Sequence, residues 1–283
     1  MVHRRTRGYP RAMGRWRSSA AGLLVLLAGG GCRTGRNYVE PSGPRYTRGA
    51  QTAVASAPPI DALRVVSFNI ERALRVERAI GVMTAEPALR DADILLLQEM
   101  DEAGTREVAD AFGMGYVYYP GTFSLKTQRD FGNAVLTRWP IVSDAKVLLP
   151  HLGALGQLQR TATAATIQVG PSQIRVYSTH LGTMINATPA AQRAQLRTVL
   201  ADAEPYAQVI IGGDMNSHGV VRVARTFGYE WPTEHGPRTT RFGRWDHILL
   251  KGLPSPGPSA TGTVVDARGA SDHRPVWAVA RLR

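Results

Sequence analysis

Short runs such as ILLL (94–97) and VII (209–211) are apolar at every position, so a strand built from either shows hydrocarbon on both faces. Such a strand is stable only when helices or a second sheet cover each side. Around these runs, β-branched segments alternate with longer helical patterns. Strand-like stretches fall at 64–69, 93–98, 115–119, 133–137, 161–169, 173–179, 208–212, 245–250 and 274–281. Helical spacing is present at 76–84, 101–112, 189–203 and 220–227. Thr188 as cap and Pro189 in the first turn mark one helix start. Many strands with few helices predict two packed sheets flanked by helices.

The domain predicted from these patterns is 61–283. What precedes it is different in kind. Residues 1–60 carry a net charge of +9 and residues 61–283 only +3, so the overall +12 says little about a nucleic-acid surface. Residues 1–31 read as an export signal: a basic start, a short apolar core at 20–28, and small residues before Cys32. That core is far short of the roughly 20 residues needed to span a bilayer. Cys32 is the chain's only cysteine, which excludes an internal disulfide framework. The segment around it resembles a bacterial lipoprotein signal, which implies lipidation at Cys32, attachment to a membrane and a place in the cell envelope outside the cytoplasm. Residues 32–60, rich in Gly, Pro, Ser and Thr, are expected to be a flexible tether.

Polar residues cluster where the buried runs stop. VVSFN ends in Asn69, ILLLQ is followed by Glu99, RVYST by His180, and VIIGG by Asp214 with Asn216 two residues on. RW leads into Asp246, and Asp272 and His273 precede the last strand. A buried strand that ends this way points its polar group at the sheet edge, where sites are commonly built. Each position alone has an ordinary explanation as a turn former or a solvated strand end. Together, the segments SFNI (67–70), LLQE (96–99), GNAVLTRWPI (132–141), STHL (178–181), GGDMNS (212–217), WDHILL (245–250) and SDHRPV (271–276) resemble the endonuclease/exonuclease/phosphatase superfamily of metal-dependent phosphoesterases, in that family's order. The resemblance implies an α+β fold, a four-layer α/β/β/α sandwich. Two mainly antiparallel β-sheets pack face to face between helices, with the site at one end.

The resemblance also implies roles. Glu99 is the expected principal metal ligand, with Asn69 and Asp272 nearby. His273 is the expected base for water, oriented by Asp246, with Asp214 the alternative base. Asn216 is placed on the scissile phosphate and His180 near the phosphate or leaving group, with Asn133 and Arg160 as lesser phosphate contacts. The chemistry is coherent: hard oxygen ligands suit Mg²⁺ or Mn²⁺, and a carboxylate on one imidazole nitrogen fixes the tautomer and raises basicity. No Gly-x-Ser-x-Gly elbow, His-Glu-x-x-His pair or P-loop competes. His151, His218, His235 and His247 show no zinc spacing and are expected to make local hydrogen bonds or to be exposed.

The expected activity is hydrolysis of phosphodiesters, with nucleic acid favoured as substrate and a phospholipid or other small phosphodiester as the alternative. A non-catalytic phosphate-binding module on the same fold is the contrasting possibility. Two features bear on substrate. The stretch YVYYP (116–120) reads either as a stacking platform or as a buried strand, and Arg238, Arg241 and Arg244 stand before Asp246, where they could line a phosphate-rich groove. The chain is expected to act as a monomer.

Overall fold

The apolar runs become the middle strands of two sheets in the computed structural model, which describes Met1 and residues 34–49, 60–155 and 157–282. The export signal and Cys32 therefore lie outside the described residues. Residues 34–282 fall within a single unit. The first sheet contains β1 (Thr34–Asn37), β2 (Tyr46–Arg48), β3 (Ala62–Asn69), β4 (Ile94–Met100), β5 (Gly115–Ser124), β6 (Arg129–Thr137), β12 (Thr261–Thr263) and β13 (Val276–Arg281). Its order is β1-β5-β6-β4-β3-β13-β12, with β2 also on β5. The second sheet is formed by β7 (Ile141–Leu148), β8 (Thr161–Val169), β9 (Ser172–His180), β10 (Val209–Asp214) and β11 (Asp246–Lys251), in the order β11-β10-β9-β8-β7. Among the described residues only β3–β4 and β9–β10 are parallel; the other pairs are antiparallel.

Period-two alternation divides the side chains between layers. Leu63 and Val65 of β3 and Ile94 and Leu96 of β4 face Val176, Ile210 and Ile248 across the seam between the sheets. Their neighbours Val66, Phe68, Leu95 and Leu97 face outward, under α1 (Val76–Ala85), the short α2 (Pro87–Arg90) and α3 (Glu102–Phe112). Tyr177, Val209, Ile211 and Leu249 face the opposite way, under α4 (Pro189–Asp202). Each large aliphatic chain so buried contributes about 1.5–3 kcal/mol. Helices thus flank two sheets packed face to face, the four-layer sandwich expected.

Helix ends follow local chemistry. Thr188 caps α4 by accepting from the Ala191 N–H, with Pro189 in the first turn. Asp101 caps α3 by accepting from the Gly104 N–H at 2.7 Å, and Gly113, at φ 64°, ends that helix in the left-handed region. The helix expected at 220–227 is instead one α turn, α5 (His218–Val221), followed by a 3-10 segment, Arg222–Phe227. Three valines crowd that stretch, which disfavours a longer α-helix.

The expected tether at 32–60 needs correction over its described part. β1 and β2 lie along β5, pairing Asn37 with Thr122 and Tyr46 with Tyr118. Lys146 Nζ donates to the carbonyls of Tyr38 (3.0 Å) and Gly43 (2.5 Å), and Arg45 pairs with Asp144. A segment without apolar periodicity can still dock here because an edge strand recruits backbone groups and asks little of side chains.

Candidate active site

Continuing the alternation on the inner face to the end of the seam gives the site. Beyond Leu63 and Val65 come Ser67 and Asn69; beyond Ile94 and Leu96 comes Gln98; beyond Ile210 come Gly212 and Asp214. A small polar layer lies first. Gln98 Nε2 donates to Ser178 Oγ at 2.9 Å, and Ser178 Oγ donates to the Leu97 carbonyl at 2.9 Å, which ties the sheets together. Glycines let the backbones close up: a Cβ on Gly212 would sit 2.5 Å from Leu96 Cδ1, and one on Gly213 1.9 Å from the Thr179 carbonyl oxygen.

Above that layer Asp214 of β10 stands in register with His180 of β9 and Asp246 of β11, so all three side chains share the inner face. Asp214 Oδ2 accepts from Asn69 Nδ2 (3.1 Å) and lies 3.2 Å from His180 Nε2 and 3.6 Å from His273 Nε2. Its Oδ1 accepts from the Asn216 N–H at 2.8 Å. Asn216 Nδ2 donates to the Leu181 carbonyl, and the residue holds a positive φ of 50°. His273 Nδ1 pairs with Asp246 Oδ2 at 2.9 Å. Asp214, Asp246 and His273 are all buried.

The electrostatics follow from this crowding. Burial pulls the His273 imidazole towards the neutral form, but the Asp246 and Asp214 carboxylates on its two nitrogens win and push its pKa up to about 11. Burial likewise works against the Asp214 anion, yet His273, His180 and the Asn216 N–H hold its carboxyl below the usual carboxylate range. Burial pushes Asp246 up, partly offset by His273. The result is an imidazolium between two carboxylates.

Glu99 arrives by a different route. Along β4 the alternation would send it towards the helical layer. Between Gln98 and Met100 the register against β6 slips, and Glu99 adopts φ 59°. This bulge turns the carboxylate back to the seam, 3.4 Å from Asn69 Nδ2 and 3.9 Å from His180 Nδ1. His180 Nδ1 is buried and has no hydrogen-bond partner among the described residues. Backbone strain of this kind gathers at functional sites.

Not every expected residue joins the array. Asp272 is exposed and reaches His273 only through its charge. Asn133 is buried with its amide donating to the Thr161 carbonyl at 2.7 Å, a link between β6 and β8. Arg160 lies over the Phe131 ring (5.8 Å), which in turn neighbours His180 (6.1 Å). His247 is a local contact, as expected: Trp231 Nε1 donates to its Nδ1, its Nε2 meets the Arg244 carbonyl, and burial lowers its pKa to about 3. The YVYYP stretch is a buried strand, with Tyr118 donating to the Met100 carbonyl. Of the three loop arginines, Arg241 lies over Phe242 (4.4 Å), while the Arg238 carbonyl accepts from Arg274 and the Arg244 carbonyl meets the His247 ring. Sequence reading missed Thr239, whose Oγ1 accepts from the N–H groups of Trp245 and Asp246 and seats Asp246. A lone Thr seven residues upstream carries no signal of that role.

Two groups could hold a cation. One oxygen or nitrogen from each of Asp214, Asp246 and His273 lies within 4.8 Å of the others, but the imidazolium there already balances the carboxylates. Glu99, part-exposed beside the Asn69 amide and 3.9 Å from His180 Nδ1, has no closer cationic neighbour among the described residues and is a hard oxygen donor. That donor chemistry fits a Mg²⁺- or Mn²⁺-like ion.

Comparison with known proteins agrees with this fold. The endonuclease/exonuclease/phosphatase family matches over residues 66–273. No curated protein matches the sequence. Among solved structures, D. rerio TDP2 complexed with single-strand DNA product superposes with a TM-score of 0.61 at 18% identity, covering 78% of this chain and 99% of that one. The human Nocturnin catalytic domain with bound sulfate gives 0.59 at 19% identity, covering 79% and 97%. Sphingomyelinase C from Streptomyces griseocarneus gives 0.57 at 19% identity, covering 79% and 100%. At these identities the likeness establishes the fold.

Proposed function

The chain belongs to the endonuclease/exonuclease/phosphatase family, whose enzymes are divalent-metal-dependent phosphoesterases, and from that premise we propose that it hydrolyses phosphodiester bonds in nucleic acid by attack of water on phosphorus. One observation carries the reading: the Asp214–His273–Asp246 array and Glu99 meet at one end of the seam, held by Asn69 and His180. Glu99 and Asn69, with Asp272 at the rim, are the residues that would hold Mg²⁺ or Mn²⁺. When bound, such an ion supplies Lewis-acid polarisation and charge for the leaving oxygen.

The chain's own groups do the rest. Asp214 is ionised and faces the seam, so it takes the role of accepting the water proton. His273, held as an imidazolium by Asp246, places positive charge where the phosphoryl oxygens gain negative charge. The Asp246 and Asp214 carboxylates raise the His273 pKa, which favours Asp214, the alternative base, over His273 in that role. His180 stands beside Asp214 as a donor to a phosphate or leaving oxygen. The leader supports a place outside the cytoplasm with Cys32 as anchor, which fractionation of Cys32→Ser against the natural chain tests.

The functional test uses metal-stripped protein and a panel of plasmid DNA, RNA, sphingomyelin vesicles and inositol phosphates. The expected result is cleavage of nucleic acid on adding Mg²⁺ or Mn²⁺ and its loss with EDTA. Hydrolysis of nothing in the panel would mark a non-catalytic phosphate-binding module. Hydrolysis of sphingomyelin alone would move the substrate to lipid.

A further inference from the structure

A cleft of about 570 Å³ opens beside the buried array, between the loop at 240–245 and the loop at 265–274, with Asp272 and His273 among its lining residues. That volume lies within the range of small-ligand sites, about 300–1,000 Å³. A larger, more open depression of about 940 Å³ over the starts of α1 and α3 contains none of the array.

One wall of the cleft is a stack. The Arg241 guanidinium lies 4.4 Å from the Phe242 centroid. Phe242 stacks on Trp245 with centroids 5.6 Å apart and planes 17° apart, and Trp245 lies 6.4 Å from the His273 imidazole. Phe242 is 62% exposed, so the hydrophobic core does not account for its placement. The turn that presents it is nonetheless well tied. Thr240 Oγ1 accepts from the N–H groups of Phe242 and Gly243 at 3.1 Å each, and the N–H groups of Thr239 and Thr240 both donate to the Gly243 carbonyl. An aromatic pair held in water by a hydrogen-bonded turn, ending at the reacting centre, is arranged for a planar ligand group.

We propose that this cleft is a subsite for the base of a nucleoside attached to the scissile phosphodiester, with Phe242 and Trp245 as the stacking surface. The assignment rests on the hydrolase reading above. An acyl chain fits the lining poorly: Arg241, Arg268, Arg274 and Asp266 line the cleft, and aliphatic cover is limited to Val265 and Ala267. Burying those charges against hydrocarbon would be costly. A base offers π-faces to the rings and polar edges to the charged groups.

The test compares two diesters with the same leaving group, thymidine 5′-(p-nitrophenyl phosphate) and methyl p-nitrophenyl phosphate, using the full chain with Mg²⁺ or Mn²⁺. The natural chain should prefer the nucleoside diester in kcat/KM by about tenfold or more, the scale of one base–aromatic stack. Phe242→Ala and Trp245→Ala should each lower that ratio several-fold, and Phe242→Tyr should restore it. A natural ratio near one with both diesters cleaved overturns the subsite and leaves the hydrolase reading standing. An equal fall in Phe242→Ala and Phe242→Tyr overturns it too, since only turn structure would then matter. If neither diester nor plasmid DNA is cleaved, the hydrolase reading falls and the subsite with it; DNA cleavage unaffected by Phe242→Ala and Trp245→Ala overturns the subsite alone. Faster turnover of sphingomyelin vesicles than of the nucleoside diester, lost in Phe242→Ala, would assign the wall to lipid.

Discussion

Two parts of the candidate site hold charge in opposite ways. The Asp214–His273–Asp246 array is sealed within the seam, and every one of its ionisable groups has an oppositely charged neighbour. Glu99, a few ångströms away, is part-exposed, sits on a strained bulge, and has only looser contacts at 3.4 and 3.9 Å. A buried carboxylate without compensation would be neutralised, so the array carries its own cation. The rim carboxylate can wait for an external one. On the proposed reading, this difference separates a preorganised unit that positions and moves protons from a donor that would recruit metal, and four experiments probe it.

The largest effect is expected inside the array. His273→Ala should lower kcat by about 10²–10⁴-fold. Asp246 acts through the ring it orients, so the double variant with Asp246→Ala should be little worse than His273→Ala alone. Asp246→Asn should lose less, since its amide oxygen can still accept from Nδ1. Losses that multiply independently in the cycle would dissolve the array as a unit.

At the rim, Glu99→Ala should cost about a hundredfold in kcat at saturating Mg²⁺ with the fold intact. Retention of more than about a tenth of the activity, a deficit under about 1.4 kcal/mol, would remove Glu99 as principal ligand.

The third experiment reads the array without turnover, in chelator, by thermal unfolding against pH. The native pKa of His273 is raised to about 11 from 6.5. Its proton therefore stabilises the fold fully below about pH 6.5, and that contribution is lost as pH rises towards 11. The Tm advantage of the natural chain over His273→Gln should shrink by roughly 5 °C across that window. A constant gap would mean that His273 is not held as an imidazolium.

The smallest effect belongs to the bulge. Glu99→Gly removes the same carboxylate as Glu99→Ala but accepts φ 59° without strain. It should be more stable than Glu99→Ala by about 1 kcal/mol in denaturant unfolding, with both lowered in kcat to a similar degree. Equal stabilities would show that the bulge relaxes once its carboxylate is gone.

Much of the frame was legible in the residues. The run at 161–169 is β8, the helix announced by Thr188 and Pro189 is α4, and Asn69, His180, Asp214, Asp246 and His273 do meet at one end of the seam. What escaped had weak local patterns. β7 reads IVSDAKVL and lies at the edge of its sheet, where one side is wet and polar residues break the run. β12 is three residues of TGT. Thr239 and the Phe242–Trp245 wall sit in a loop whose course depends on its own turn and on the strands it joins.

The division has one physical cause. Whether a residue is apolar, and at what period, is a property of the chain, so the doubly covered strands, the two-sheet class and the polar groups at strand ends could be read before any fold existed. Where a side chain finally points depends on register with a neighbouring strand, which is settled only when the two meet. Glu99 turns inward because β4 slips one residue against β6. Asn133 is spent on Thr161 because β6 crosses β8 at that point. Residues 34–48 leave the expected tether because β5 has a free edge to offer. Composition and spacing carry no record of such meetings, and only the tertiary structure decides them.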